Sequence, residues 1–311
     1  MIGLIGAGSM GTAIMRGILE AHIIKASDIV FSRRDTHAGT ELAGALGVRY
    51  VASNIEVVRA LHQASNEHTA SDEHSDRHSY EHSERKDPRC RADLPCSSHL
   101  LILAVKPAVV PQVLKEISSA LAKSSCIVVS LAAGLPITAI ESYCAPGQAI
   151  VRAMPNVAIS MRSAITALCP GSSTTPHQMD AVRKIFDALG QSIIIPEKDF
   201  SAFTAIAGSS PAWTLQYIDS LARGALNAGM PHKIALQAAA QAVYGTAQLA
   251  LASLQQGIKP QELLDTVTSP GGTTIAGLIA AENRGFSCAT LAAVQAALER
   301  DSELARHNPA Q

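Results

Sequence analysis

Six residues near the start of the chain constrain its fold more than any others. Gly6-Ala7-Gly8-Ser9-Met10-Gly11 matches G-x-G-x-x-G and lies between an apolar run of strand length, Ile2–Ile5, and a stretch of helical periodicity, Met10–Ala21. A strand that turns straight into a helix through such a cluster opens a βαβ unit and suits a dinucleotide. The first glycine permits the tight turn, the second lets a pyrophosphate approach the backbone, and the third lets the helix lie close on the strand. Free N–H groups in the first helical turn then face the phosphates. A plain strand-to-helix connection is the alternative, and the rest of the chain decides between them.

The alternation continues. Ile29–Ser32 predicts a strand, Thr36–Leu46 a helix, Val48–Val51 a short strand, Leu100–Val105 a strand, Pro107–Ala122 a helix and Ile127–Leu131 a strand. Continuous apolar strands separated by helices indicate a parallel sheet covered on both faces. From about Ala149 to Ile195, two or three more strands surround a helix at Pro176–Leu189. Beyond Pro196 no strand is evident. Ala and Leu recur at helical spacing through Trp213–Ala228, His232–Leu254, Pro260–Val267, Thr274–Glu282 and Cys288–Arg306, with breaks at Gly229–Pro231, Gly257–Pro260 and Gly285. Aromatic residues are only 4% of the chain, which favours closely packed helices over a β-sandwich. The expected architecture is an α/β Rossmann-type N-terminal domain with a parallel-rich sheet, residues 1–196, followed by an all-α C-terminal domain, residues 197–311.

One polar segment fits neither domain. Residues 62–99 are rich in His, Ser, Asp and Glu and poor in β-branched residues, as in a disordered, solvated insertion. His74, His78 and His82 fall at i, i+4 and i+8 near Cys90 and Cys96, so a helix there would offer zinc or nickel three imidazoles. The solvated reading is preferred, and no metal is expected. A net charge of −1 gives no argument for nucleic acid or an anionic membrane surface. No apolar run has the ~18–20 residues of a membrane span, and the N-terminus lacks the positive region of a signal peptide. A cytoplasmic location is expected. Of six cysteines, none in CxxC spacing, the four outside the insertion read as small buried hydrophobes in a reducing compartment.

The end of the second strand chooses between cofactors. An NAD site usually ends it with Asp or Glu on the ribose 2′-hydroxyl. Here the strand runs into Ser32-Arg33-Arg34, with Asp35 slightly late. Two guanidiniums suit a 2′-phosphate, so NADP(H) is the preferred cofactor and NAD(H) the possible one. Ala104-Val105-Lys106-Pro107 and Leu131-Ala132-Ala133-Gly134 end two further strands, where ligands of open α/β sheets bind. Their small residues would let a flat nicotinamide lie against backbone. Lys106 is either a catalytic acid or a phosphate- or solvent-facing lysine.

In the helical part, Thr268-Ser269-Pro270-Gly271-Gly272-Thr273-Thr274 immediately precedes an apolar helix. Glycines at a helix N-terminus gather backbone N–H groups suited to a carboxylate, and the hydroxyls add donors that reach a ring nitrogen. An ordinary N-cap and tight turn is the competing reading. No Ser-His-Asp set, Cys-His pair or paired carboxylates stand out, which agrees with hydride chemistry carried by a cofactor.

Together these segments resemble pyrroline-5-carboxylate reductases over nearly the whole chain outside the insertion. The resemblance rests on IGLIGAGSMGTAI at the start, LAVKP at 103–107, SLAAG at 130–134, VRAMPN at 151–156 and TSPGGTTIAGL at 268–278. It implies NAD(P)H-dependent reduction of L-1-pyrroline-5-carboxylate to L-proline. It also implies that the substrate carboxylate lies on Ser269–Thr274, with Thr274 hydrogen-bonding the imine nitrogen. Ser32, Arg33 and Asn54 would contact the adenosine end, and the nicotinamide would lie near Ala132–Gly134 and Met154–Asn156. The helical domain would pair two subunits, as a homodimer or larger homo-oligomer.

Two departures from the family are visible. Ile206-Ala207-Gly208-Ser209-Ser210-Pro211-Ala212-Trp213 stands where the family often has LSGSGPAY, and the insertion after Leu61 is not a usual feature. A β-hydroxyacid dehydrogenase-like reductase would use a lysine in a long helix of its second domain, but the first long stretch here has only Lys233, beside Pro231. A non-catalytic dinucleotide-binding regulator of the same fold would have no need of both intact glycine motifs.

Overall fold

Strands built almost wholly from Ile, Leu and Val need both faces of their sheet covered, and the computed structural model of the chain shows that arrangement. It describes residues 1–72 and 99–306. The chain divides into two compact units, Met1–Thr204 together with the chain from Arg300 onward, and Ala205–Glu299.

The first unit holds one eight-stranded sheet. In chain order its elements are β1 (Ile2–Ile5), α1 (Ser9–Glu20), β2 (Ile29–Ser32), α2 (Thr36–Leu46), β3 (Arg49–Val51), α3 (Asn54–Asp72) and β4 (Leu100–Leu103). There follow α4 (Val110–Leu121), β5 (Ile127–Ser130), α5 (Ile137–Glu141), β6 (Ile150–Met154), β7 (Ala164–Pro170), α6 (Pro176–Asp187), β8 (Gly190–Ile194) and α7 (Phe200–Phe203). The strand order is β3-β2-β1-β4-β5-β6-β7-β8. All neighbours pair in parallel except β6 and β7. Every residue of β1, β2, β4 and β5 is buried, so helices cover both faces. Helix α4 shows why: Val110, Val113, Leu114, Ile117 and Leu121 recur at i, i+3, i+4, i+7 and i+11 and form its buried stripe. A capping box of Thr175 and Gln178, with Pro176 at the first position, starts α6.

The sequence expectation omits α3. Its apolar stripe is short, Val57, Val58 and Leu61, all buried, before polar residues take over. A Cβ on Gly3 would stand 2.7 Å from Val57 Cγ1 and 2.9 Å from Leu61 Cδ1, so the missing side chain at this one position of β1 lets α3 lie this close. Helix α3 runs on to Asp72, so residues 62–72 of the expected insertion are helical, and His99 at its far end is buried. His74, His78, His82, Cys90 and Cys96 lie outside the described residues. Among the described residues there is no cluster of His, Cys, Asp and Glu able to hold a metal, and no helix is long and apolar enough to cross a membrane.

The cysteine expectation needs one correction. Cys126 and Cys169 are buried, and Cys144 partly so, but Cys288 on the last helix is exposed in the single chain. Burial pushes the Cys126 and Cys144 thiols up to about 11, which keeps them protonated at neutral pH.

The second unit is helical: α8 (Ser210–Asn227), α9 (His232–Gln255), α10 (Pro260–Val267), α11 (Thr273–Glu282) and most of α12 (Phe286–Arg306). A π-turn over Thr204–Ser209 leads into α8. Pro211 lacks the N–H that would continue a regular ladder there, and Ser210 Oγ donates to the Ile206 carbonyl at 2.5 Å. The unit's own core is small, formed by Ala222, Ala235 and Ala239 with Ile218, Ala225 and Leu236 against them. Helix α11 buries no residue at all although Ile275, Leu278 and Ile279 lie on it. Leu291 is 70% exposed, Leu215 67% and Ile279 54%. Helices this apolar and this uncovered present faces suited to a partner surface.

Candidate active site

The site begins with strand register. Ile5 pairs with Ser32 on one side and Leu103 on the other, Leu103 with Ser130, and Ser130 with Arg152. The carboxyl ends of five adjacent strands therefore form one edge of the sheet. From it emerge Gly6–Gly11, Arg33-Arg34, Ala104–Pro107, Leu131–Gly134 and the Met154–Asn156 turn. The order reverses at β1, which has β2 on one side and β4 on the other, and ligands of open α/β sheets bind at such a switch point.

Each glycine of the opening turn has a separate task in the geometry. Gly6 has φ +97°, and a Cβ there would meet Val105 Cγ1 at 2.6 Å and the Ala104 carbonyl carbon at 2.9 Å. Its N–H donates to the Ser32 carbonyl at 3.1 Å, which ties the turn to the end of β2. A Cβ on Gly11 would stand 2.5 Å from the Gly6 carbonyl oxygen, so α1 packs on the turn itself. Gly8 differs: a Cβ there would meet nothing within 4 Å. Gly8 is also the N-cap of α1, no side chain caps the helix, and its first turn has no acidic residue. Open space above a glycine and uncapped N–H groups are what a pyrophosphate needs, so the turn fits a dinucleotide. Ala7, Ser9 and Met10 complete it.

Beside the turn is a cavity of about 300 Å³ lined by residues including Gly6, Ser32, Arg33, Arg34, Asn54 and Glu116. Asn54 opens α3, the helix missed in the sequence, and so reaches the cavity from the far end of β3. Ser32 Oγ donates to Asn54 Oδ1 at 2.7 Å, and Asn54 Nδ2 donates to Glu116 Oε2 at 2.9 Å. The Tyr50 hydroxyl donates to the Arg33 carbonyl at 3.3 Å and steadies the backbone under that guanidinium. Asp35, the nearest carboxylate after β2, accepts the Ala38 N–H at 3.0 Å as the N-cap of α2. It is engaged as a cap.

Farther along the edge, the Ala104 N–H donates to the Ile5 carbonyl at 2.8 Å, and the Leu131 N–H to the Leu103 carbonyl at 3.1 Å. Ala132 is buried, with Ala133 and Gly134 partly exposed behind it. A Cβ on Gly134 would meet nothing within 4 Å, so this loop also presents bare backbone. Lys106 is exposed, Pro107 starts a single helical turn, and Val105 lines the cavity. Asn156 ends β6's excursion as the N-cap of a short turn over Val157–Met161.

Sequence reasoning missed two acidic residues here, Glu116 and Glu197. Glu197 Oε1 accepts from Arg152 Nη1 at 2.9 Å and from the Ile137 N–H at 2.7 Å. Arg152 also lies 4.4 Å over the Phe200 ring, so β6, α5 and α7 are tied at one point beneath the Met154–Asn156 turn. Arg152 stands in the VRAMPN stretch, but its partner lies 45 residues away and gives no local signal.

In the second unit, Ser269–Thr274 forms a turn closed by the Gly272 N–H donating to the Ser269 carbonyl at 3.0 Å. Gly271 has φ +68°. A Cβ on Gly272 would collide with the Ser269 hydroxyl, so only glycine allows that hydroxyl to fold over the turn. Gly272 is the N-cap of α11, again with no side-chain cap. Ser269, Gly271, Thr273 and Thr274 are exposed in the single chain. The expected cofactor residues thus gather on one sheet edge of the first unit, and the expected substrate residues in one turn of the second.

Comparison with known proteins bears on both units. A family model described as pyrroline-5-carboxylate reductase dimerisation matches residues 197–304, and one described as NADP oxidoreductase coenzyme F420-dependent matches residues 1–64. The chain is 35% identical to a pyrroline-5-carboxylate reductase of Methanosarcina acetivorans over 98% of both chains. It is 32% identical to that of Escherichia coli, again over 98% of each. Among solved structures, a pyrroline-5-carboxylate reductase of Coxiella burnetii superposes with a TM-score of 0.78 at 26% identity, covering 97% of each chain. One from Plasmodium falciparum with NADP bound gives 0.75 at 25% identity, covering 98% of each.

Proposed function

The chain belongs to the pyrroline-5-carboxylate reductase family, and on that premise we propose how its own residues perform the family's reaction. It reduces L-1-pyrroline-5-carboxylate to L-proline with a nicotinamide dinucleotide, completing proline biosynthesis, and it works as a homo-oligomer. When bound, the reduced cofactor supplies the hydride accepted by the C=N carbon, while the ring nitrogen takes a proton. The protein's work is to hold, orient and polarise.

The observation that carries the reading is the open space at Gly8 above an uncapped helix start. Gly6, Ala7, Gly8, Ser9, Met10 and Gly11 hold the pyrophosphate through backbone N–H groups. Ser32, Arg33 and Asn54 hold the adenosine end, with Arg34 beside them. Ala104, Val105, Lys106 and Pro107, then Ala132, Ala133, Gly134 and Asn156, form the bed for the rest of the dinucleotide. The guanidinium of Arg33 makes NADPH the preferred cofactor, with NADH accepted. Arg33→Ala should raise the NADPH dissociation constant by roughly tenfold or more, the scale of a charge-assisted hydrogen bond, and that of NADH by less than about threefold. Equal losses in titrations of the two would contradict the 2′-phosphate assignment.

Residues 1–196 hold the cofactor, and residues 197–311 hold the substrate and the second subunit of a dimer. Ser269, Gly271, Gly272, Thr273 and Thr274 receive the substrate carboxylate at the start of α11, where backbone N–H groups and the helix dipole favour an anion. Thr274 is the catalytic residue. Its hydroxyl hydrogen-bonds the imine nitrogen and assists protonation there, which lowers the barrier to hydride addition at carbon. Thr274→Ala should lower kcat by roughly 10- to 100-fold, typical of one lost proton-directing group, and leave NADPH affinity unchanged. An unaltered kcat would place proton delivery with solvent or another group.

A further inference from the structure

Glu116 lies on α4, 62 residues from the asparagine that it contacts, and no motif in the sequence points to it. Its Oε2 accepts from Asn54 Nδ2 at 2.9 Å, and Asn54 Oδ1 accepts from Ser32 Oγ at 2.7 Å. The order of donors follows from chemistry. A carboxylate only accepts, so it turns the NH₂ end of the Asn54 amide toward itself. The amide oxygen then faces Ser32 and also only accepts, so the Ser32 hydroxyl must donate to it. Ser32 is 2% exposed and lines the cavity beside the glycine turn. Its proton is engaged, and only oxygen lone pairs are left for a ligand.

We propose that Glu116, acting through Asn54, is a positioning residue that sets Ser32 to receive a ribose 2′-hydroxyl and opposes a 2′-phosphate. The inference rests on the reading of Ser32, Arg33 and Asn54 as the adenosine end of the site. A 2′-hydroxyl can donate into the Ser32 lone pairs. A 2′-phosphate presents oxygens that meet lone pair with lone pair, in a cavity that also holds the Glu116 carboxylate. The relay and the guanidiniums of Arg33 and Arg34 therefore pull in opposite directions. Cofactor choice in this chain is the balance between them.

The test is a double-substitution cycle on the full chain, with NADPH and NADH binding measured by titration without substrate and thermal stability measured alongside. Glu116→Gln keeps the shape but offers an NH₂ as well as an oxygen. Asn54 can then turn over, donate to Ser32, and release the serine proton toward phosphate. The ratio of NADPH to NADH affinity should rise roughly three- to tenfold, the scale of one hydrogen bond gained. In the Ser32→Ala background the same substitution should shift the ratio by less than about twofold, because the relay has no hydroxyl left to set. An equal shift in both backgrounds would mean direct charge repulsion by Glu116 and would overturn the relay. So would an unchanged ratio, or a drop in thermal stability with equal weakening of both cofactors, the mark of a mere tether between α3 and α4. Failure of the unsubstituted chain to bind either dinucleotide would overturn the cofactor reading itself, a result distinct from all of these.

Discussion

Gly8→Leu is expected to leave the fold standing and to abolish dinucleotide binding. The two halves of that outcome have separate causes. A Cβ on Gly8 meets nothing within 4 Å, and its backbone is extended with φ −80°, so a side chain costs the native state little. The space it enters is the space a pyrophosphate must occupy to reach the first N–H groups of α1. Excluding two or three charge-assisted hydrogen bonds corresponds to a loss of at least about 100-fold in NADPH affinity. Gly11→Ala should behave in the opposite way. Its Cβ meets the Gly6 carbonyl oxygen at 2.5 Å, so α1 must shift and thermal stability must fall together with binding. Circular dichroism melts beside cofactor titrations separate the two. A Gly8→Leu protein that still binds NADPH tightly would remove the turn from the cofactor site.

The second large effect concerns the helical unit. Ile279 and Leu291 are 54% and 70% exposed in the single chain, and α11 buries none of its residues. Full burial of such side chains contributes about 1.5–3 kcal/mol each, whereas an unpaired carboxylate buried in their place costs several kcal/mol. Ile279→Glu combined with Leu291→Glu should raise the subunit dissociation constant by about 10³-fold or more. Sedimentation velocity should then show the monomer mass, and reductase activity should disappear with the oligomer. An intact oligomer carrying both glutamates would mean that these two residues face solvent in the assembly. Gly8→Leu supplies the control, since it should lose activity and keep its mass.

What the sequence makes legible follows from whether a signal is local. Strands β1, β2, β4 and β5 stand out because burial on both faces demands unbroken apolar runs. Both glycine motifs stand out because backbone geometry is written in residue type. Helix α3 is hidden because its apolar stripe ends at Leu61, after which polar residues continue the helix without periodicity. Helix α5 is only five residues long, too short for a pattern. Glu116 and Glu197 are hidden for another reason: each acts on residues many positions away, and only the tertiary packing of helices and strands brings the partners together. Asp35 illustrates the converse. It stands near the position of a ribose-binding acid, but its carboxylate accepts an N–H of α2, a local role that residue type alone does not distinguish.

The central claim is that the glycine turn of the first unit and the Ser269–Thr274 turn of the second serve one reaction. Its most direct test is to mix the purified full chain with NADPH and L-1-pyrroline-5-carboxylate and follow reduced-cofactor absorbance together with proline formation. The account predicts cofactor oxidation matched one-to-one by L-proline, lost in Gly8→Leu through binding and slowed in Thr274→Ala through turnover. Tight NADPH binding with no oxidation above background in the presence of the imino acid would contradict it.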